Sequence, residues 1–221
     1  DEHVFVIDKP AGMPVHPSQG HYENTLANGI AWYYRNEATP FVFRAVNRLD
    51  RDTSGLVLLA KNPFSSCILS DAVKDHTIHR EYAAIVSGRT DDSGTIDLPI
   101  ARKDGSTIER ICDPERGEYA VTHYQTLAYN KDSDLSFIRL LLETGRTHQI
   151  RVHMKAIGHP LPGDFLYNPD YRLIDRQPLH STYLSFSHPV TGQKLELSAP
   201  LPEDMRNLFP DIKNPSGPVF F

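Results

Sequence analysis

The chemistry this chain could perform starts at one carboxylate. Asp50 lies between Arg48 and Arg51 in the stretch NRLDRDTSGLVLLAK, residues 47–61. A carboxylate held by a guanidinium stays ionised and fixed in orientation. That state suits a nucleophile better than a general acid, which needs a raised pKa. A second basic stretch, GRTHQIRVHMKAIGHPLPGD at residues 145–164, carries Arg146, His148, Arg151, His153 and Lys155. An arginine there could hold Asp50. The competing reading makes Asp50 a structural bridge at a strand edge, and taken alone RLDRDTSG leaves both readings open.

Other chemistries find less support. His148, His153 and His159 are spaced by five and six residues, whereas a helical two-histidine zinc site needs i and i+4 with a Glu. The serine of DTSG has no flanking Gly-x-Ser-x-Gly pattern, so a nucleophile elbow is not indicated. No phosphate-cradling glycine loop occurs. A second catalytic carboxylate need not lie near Asp50 in sequence, so a glycoside or nucleoside hydrolase remains a rival.

The elements that must position these residues follow from periodicity. Val4, Val6 and Ile7 predict a strand, ended by the turn at Lys9-Pro10-Ala11-Gly12. Residues 23–34 read as a short helix with Asn24 at its cap, residues 41–48 as extended, and residues 56–60 as a buried strand. Pro63 opens a helix over 63–73. REYAAIVSG is a strand stopped by Gly88, and residues 118–128 and 135–143 alternate as a strand pair. Ile150, Met154 and Ile157 then recur at helical spacing, with Thr147 as expected cap, Gly158 as stop and Pro160 beyond. On that helix His148, Arg151 and Lys155 share a stripe beside the apolar face, expected to be basic and accessible. The tail reads as a hairpin, one strand to Phe186, a turn around Gly192 and a return to Ser198. Strands outnumber helices without alternating with them, which predicts an α+β fold on a mixed or mainly antiparallel sheet.

The bulk properties bound the answer. The 221 residues are 39% hydrophobic and 23% charged, an ordinary globular composition. Cys67 and Cys112 stand far apart in no paired motif, against a disulfide framework and for a reducing, cytoplasmic setting. No apolar run reaches the length of a membrane span, so no membrane role is expected. The net charge of −5 argues against a wholesale polyanion binder, while the two basic stretches leave room for a basic cleft on an acidic body.

Five stretches in order resemble the RluA-type RNA pseudouridine synthases: DKPAGMPVHP, NRLDRDTSGLVLLAK, REYAAIVSG, GRTHQIRVHMKAIGHPLPGD, and LHSTYLSFSHPVTG followed by SAPLP. The resemblance runs from end to end. It implies the pseudouridine synthase fold: a mainly antiparallel, mixed, curved sheet with flanking helices and a central catalytic cleft. It also implies isomerisation of uridine to pseudouridine in structured RNA, ribosomal or transfer, by a cofactor-free and metal-free monomer. Residues 1–221 would be one catalytic domain, with the small N-terminal RNA-binding domain of many relatives absent or trimmed.

By motif position, Asp50 is the implied nucleophile and Tyr82 lies against the target base, where it can help remove the C5 proton. Arg151 pairs with Asp50, Ile150 packs under the base, and Arg48 fills the RNA stack that the flipped nucleotide vacates. Arg146 and Lys155 are expected on phosphates. One position departs from the family pattern: Asn47 stands where a histidine is usual. An amide can replace several histidine hydrogen bonds, so altered contacts are expected there, with activity retained. A non-catalytic RNA-binding relative is the remaining rival, and the intact Asp50, Tyr82 and Arg151 set argues against it.

Overall fold

The computed structural model describes residues 1–18, 20, 22–36 and 41–212. In chain order its elements are β1 (Val4–Lys9), α1 (Leu26–Tyr33), β2 (Ser54–Ala60), α2 (Pro63–Lys74), β3 (His79–Ser87), β4 (Ser93–Asp97), β5 (Ile100–Arg102), β6 (Arg110–Cys112), β7 (Val121–Asn130), β8 (Leu135–Leu142), α3 (Gln149–Ala156), β9 (Leu179–Ser187), β10 (Lys194–Ser198) and α4 (Glu203–Leu208). The fold is α+β. Two compact units divide it: Asp1–His79 with Tyr183–Ala199, and Arg80–Thr182 with Pro200–Phe221.

In the first unit β1 and β2 pair antiparallel from Val4↔Ala60 to Lys9↔Gly55, and β9 turns back on β10 from Ser187↔Lys194 to Tyr183↔Ser198. Every residue of β2 is buried, which accounts for its unbroken apolar run. Leu56, Leu58 and Ala60 join Val4, Leu184 and Phe186 in one cluster closed by Leu69 of α2. Each of the leucine, valine and phenylalanine side chains contributes roughly 1.5–3 kcal/mol on burial. α2 starts as expected, with Pro63 in its first turn and the Asn62 side chain accepting from Ser65 N at 2.9 Å. α1 differs by one residue from expectation. Asn24 sits at φ 58°, and Thr25 is the cap, because Asn28 completes a reciprocal capping box with it.

In the second unit β3, β8, β7 and β4 form an antiparallel run, with a bulge in β7 between Thr126 and Ala128. One face buries Ala83, Ile85, Leu135 and Phe137 under Leu201, Met205 and Phe209 at the C-terminal helix. The β5–β6 ribbon pairs Ile100↔Cys112 to Arg102↔Arg110. Ile100, Ala120, Val152 and Tyr167 form a smaller cluster that holds α3.

Candidate active site

The Asp50 segment is held to β2 by a side chain imitating a backbone. Along residues 47–50 burial alternates: Asn47 and Leu49 are buried, Arg48 is exposed and Asp50 half-buried. Arg48 and Asp50 therefore share one side. The buried Asn47 amide donates from Nδ2 to Leu56 O at 3.1 Å and accepts at Oδ1 from Leu58 N at 2.7 Å. One amide thus supplies the donor and acceptor that a paired strand would offer. Val46 N donates to Leu58 O at 2.8 Å beside it. At the one departure from the family pattern, then, Asn has a defined structural task.

The next turn is locked by a buried cation. Lys9 is fully buried, and its Nζ donates to Pro10 O, Met13 O and Arg51 O at 2.9, 2.7 and 3.0 Å. Thr53 N donates to Asp50 O at 3.2 Å. Gly55 has φ 108°, a region that side-chain-bearing residues rarely adopt, which explains the glycine of DTSG. Arg51 forks onto Asp52, with Nε and Nη2 at 2.9 and 2.8 Å from its two oxygens. Burial, and then the Arg48 guanidinium, hold His16 below the usual imidazole range.

In the second unit α3 corrects two expectations. The capping position is His148, in the left-handed region at φ 58° and without a side-chain cap bond; Thr147 does not fill it. Gln149 anchors the helix start to β7 instead. Its Oε1 accepts from Thr144 Oγ1 and Arg146 N at 2.8 and 2.9 Å, and its Nε2 donates to Val121 O and Thr122 Oγ1 at 2.9 and 3.0 Å. The expected accessible basic stripe is also interrupted, because Arg151 is only 1% exposed. Ile150 and Met154 are buried as expected, Lys155 is exposed, and the exposed Arg146 pairs with Glu118 and with Tyr119 O.

Arg151 can be buried because Asp164 meets its charge. Nε and Nη2 lie 2.6 and 2.7 Å from the two Asp164 oxygens. The same carboxylate accepts from Leu166 N and Tyr167 N at 3.0 and 3.2 Å. The Tyr167 ring lies 5.0 Å from the guanidinium, with its hydroxyl 2.9 Å from both His148 Nδ1 and Arg110 N. Gly163, at φ 69°, permits this turn: a Cβ there would stand 2.5 Å from Ile174 O. Sequence reasoning did not pick out Gln149, Asp164, Tyr167 or Lys9. A buried arginine needs a carboxylate partner, and Asp164 already stood in the same quoted stretch.

Tyr82 is buried on β3 opposite Leu140. Alternation turns it away from the face that Ala83 and Ile85 give to the Met205 cluster. Its neighbour Glu81 is buried and pairs with Arg139, Nε to Oε2 at 2.8 Å. Among the described residues no cluster of three or more His, Cys, Asp or Glu is arranged to hold a metal ion, and no helix is long and apolar enough to cross a membrane.

Comparison with known proteins agrees with this architecture. The family model described as RNA pseudouridylate synthase matches residues 3–156. An RNA pseudouridine synthase of Bacillus subtilis (strain 168), YjbO, itself called uncharacterized, is 47% identical over 209 residues, covering 94% of this chain and 73% of its own. The ribosomal large subunit pseudouridine synthase D of Zymomonas mobilis is 40% identical over 229 residues, covering 95% and 70%. Among solved structures, human RNA pseudouridylate synthase domain containing 1 shares the fold, with a TM-score of 0.74 at 24% identity over 90% of this chain and 80% of that one. On the family model over residues 3–156 and these relatives, the chain belongs to the RluA-type RNA pseudouridine synthases.

Proposed function

We propose that Asp50 is the nucleophile of a pseudouridine synthase acting on a flipped-out uridine of large-subunit ribosomal RNA. The observation that carries this reading is the anchoring of the Asp50 segment. Asn47, Lys9 and the Thr53 turn fix its backbone to a fully buried strand, and rigidity of that kind is what a reacting carboxylate requires.

In the isomerisation the C1′–N1 bond of uridine breaks and a C1′–C5 bond forms. The C5 proton leaves and N1 gains one, so no redox partner or cofactor is consumed. An ionised Asp50 attacks an electrophilic carbon of the nucleotide and is later expelled. Arg151 is assigned to support of the nucleophile by motif position, and Asp164 fixes the plane of its guanidinium. Tyr82 lies against the base and assists loss of the C5 proton, and Ile150 packs beneath it. Extruding the uridine costs a few kcal/mol in lost stacking. Arg48, planar and cationic, offsets this by filling the gap, while Arg146 and Lys155 meet phosphates. We assign the enzyme to the cytoplasm and to the monomeric state.

The ribosomal substrate rests on relatives named for the large subunit, which are 37–40% identical to this chain. Deleting the gene and mapping pseudouridine across all RNA tests it. Loss of one or more sites in large-subunit RNA is the expected result. Loss confined to transfer RNA would overturn the substrate assignment, and an unchanged map would overturn the proposed role.

A further inference from the structure

Outside the Asp50 segment, the first unit carries a face on which aromatic rings and cations are interleaved. Trp32 and Tyr33, at the end of α1, are 66% and 65% exposed. Tyr33 stacks on Phe5 at 6.4 Å between centroids and meets Tyr34 edge-on at 5.0 Å. Tyr34 in turn stacks on Phe41 at 4.5 Å, with planes 9° apart. Two cations lie on these rings: Arg35 is 3.9 Å above Trp32 and Lys61 is 5.7 Å from Tyr34.

The charges matter as much as the rings. Arg51, Arg116, Arg139, Arg151, Arg172 and Arg176 are each joined to a carboxylate. Arg35 donates to Trp32 O, and Lys61 to Asp1 O. Neither has a carboxylate partner among the described residues. Asp1 directs its own carboxylate to the N–H groups of His3 and Val4 and to His188. The face therefore offers broad π surfaces beside two cations that pair with no carboxylate of the described residues. Aromatic planes set among cations match a chain of bases and phosphates.

We infer that Trp32, Tyr33, Arg35 and Lys61 form a second RNA contact, which takes unpaired nucleotides of the substrate outside the reacting uridine. The inference rests on the reading above that the substrate is RNA. Bases stack on the exposed faces of Trp32 and Tyr33, and Arg35 and Lys61 meet the adjoining phosphates. The surface adds affinity without touching the reacting atoms.

Trp32 is the only tryptophan of the 221-residue chain, so its fluorescence reports on this face alone. The chain is titrated with a twelve-nucleotide single-stranded oligouridylate and, separately, with a duplex RNA of the same length. Saturable quenching by the single strand, and much weaker quenching by the duplex, is expected. With about two phosphates neutralised, binding should weaken roughly sevenfold between 50 and 200 mM salt. With fluorescently labelled RNA, Trp32→Ala and the double variant Arg35→Glu, Lys61→Glu should each weaken binding about tenfold. On a substrate RNA they should raise KM and leave kcat unchanged. Wild-type enzyme that makes pseudouridine while Trp32 fluorescence ignores the RNA overturns the second contact and leaves the proposed function standing. Quenching by RNA without pseudouridine in any substrate would do the reverse. Concentration-dependent dimers abolished by Trp32→Ala, with no response to RNA, would assign the face to a second copy of the chain and overturn the inference.

Discussion

Arg151 and Asp164 meet edge to edge inside the second unit, Nε to Oδ2 at 2.6 Å and Nη2 to Oδ1 at 2.7 Å, with side-chain exposures of 1% and 0%. Removing one partner of a buried pair strands the other charge, at about 3–5 kcal/mol. Asp164→Ala should lower stability by that order. Asp164→Asn keeps the shape and the bonds from Leu166 N and Tyr167 N, so it should lose less stability while still lowering kcat at unchanged KM. Equal kcat for Asp164→Asn and wild type would separate this pair from the chemistry.

Asn47 gives a second expectation. Asn47→Ala strands Leu58 N and Leu56 O in a buried setting, and each unsatisfied group costs about 1–3 kcal/mol. Stability should fall by about 2 kcal/mol or more, and turnover should fall further as the Asp50 segment loosens. Chemical denaturation and initial rates on one sample measure both. Full activity in a destabilised variant would show that Asn47 serves the fold alone.

Asp50→Asn separates a nucleophile from a structural bridge. The amide keeps the shape and cannot attack carbon, so a folded, RNA-binding variant should lose activity by orders of magnitude. Near wild-type rates per folded molecule would end the nucleophile assignment.

Arg48 should matter only when RNA structure must be opened. Arg48→Ala should cut turnover severely on folded RNA and much less on an unstructured substrate. The same variant removes one of the two causes that depress His16, so His16 should titrate higher by NMR. Unchanged rates on folded RNA would remove Arg48 from the stack.

His153 makes stability depend on pH. It is fully buried, between Thr122 Oγ1 and Leu98 O, each at 2.9 Å. Leu98 O can only accept, so Nε2 carries the proton and Nδ1 accepts from Thr122. Burial lowers the folded pKa below the ordinary 6.5. The unfolded chain therefore binds the extra proton first. The stabilising contribution is complete above about pH 6.5 and declines at up to about 1.4 kcal/mol per unit as pH falls toward the folded value. His153→Gln should flatten the dependence of Tm on pH between 6.5 and 5. Identical slopes for the variant and wild type would refute the assignment.

Local pattern made much of this legible. The alternation of Val4 and Val6, the apolar run of β2 and the Asn62-Pro63 start of α2 each reflect a force acting within a few residues. At α1, Asn24 and Thr25 are both good caps, and only the side chain of Asn28 decides between them. α3 was legible in its buried Ile150 and Met154 and misread at its start, because Gln149 reaches Val121, 28 positions away. Spacing carries no trace of such a bond. Likewise the motif gave Arg151 its place, and folding alone brought Asp164 to its edge.

The latch at Asn47 has a consequence for solubility. SGLVLLA, the sequence of β2, carries no charge and no proline, the composition of a segment prone to cross-chain pairing. Arg44 O, Val46 N and the Asn47 amide occupy hydrogen-bonding groups of Leu56, Leu58 and Ala60 that another chain could otherwise use as a template. The residues that lead into Asp50 therefore also cover backbone groups of β2. A change that unlatches them exposes an adhesive strand, so the loss would appear as concentration-dependent aggregation as well as slower turnover.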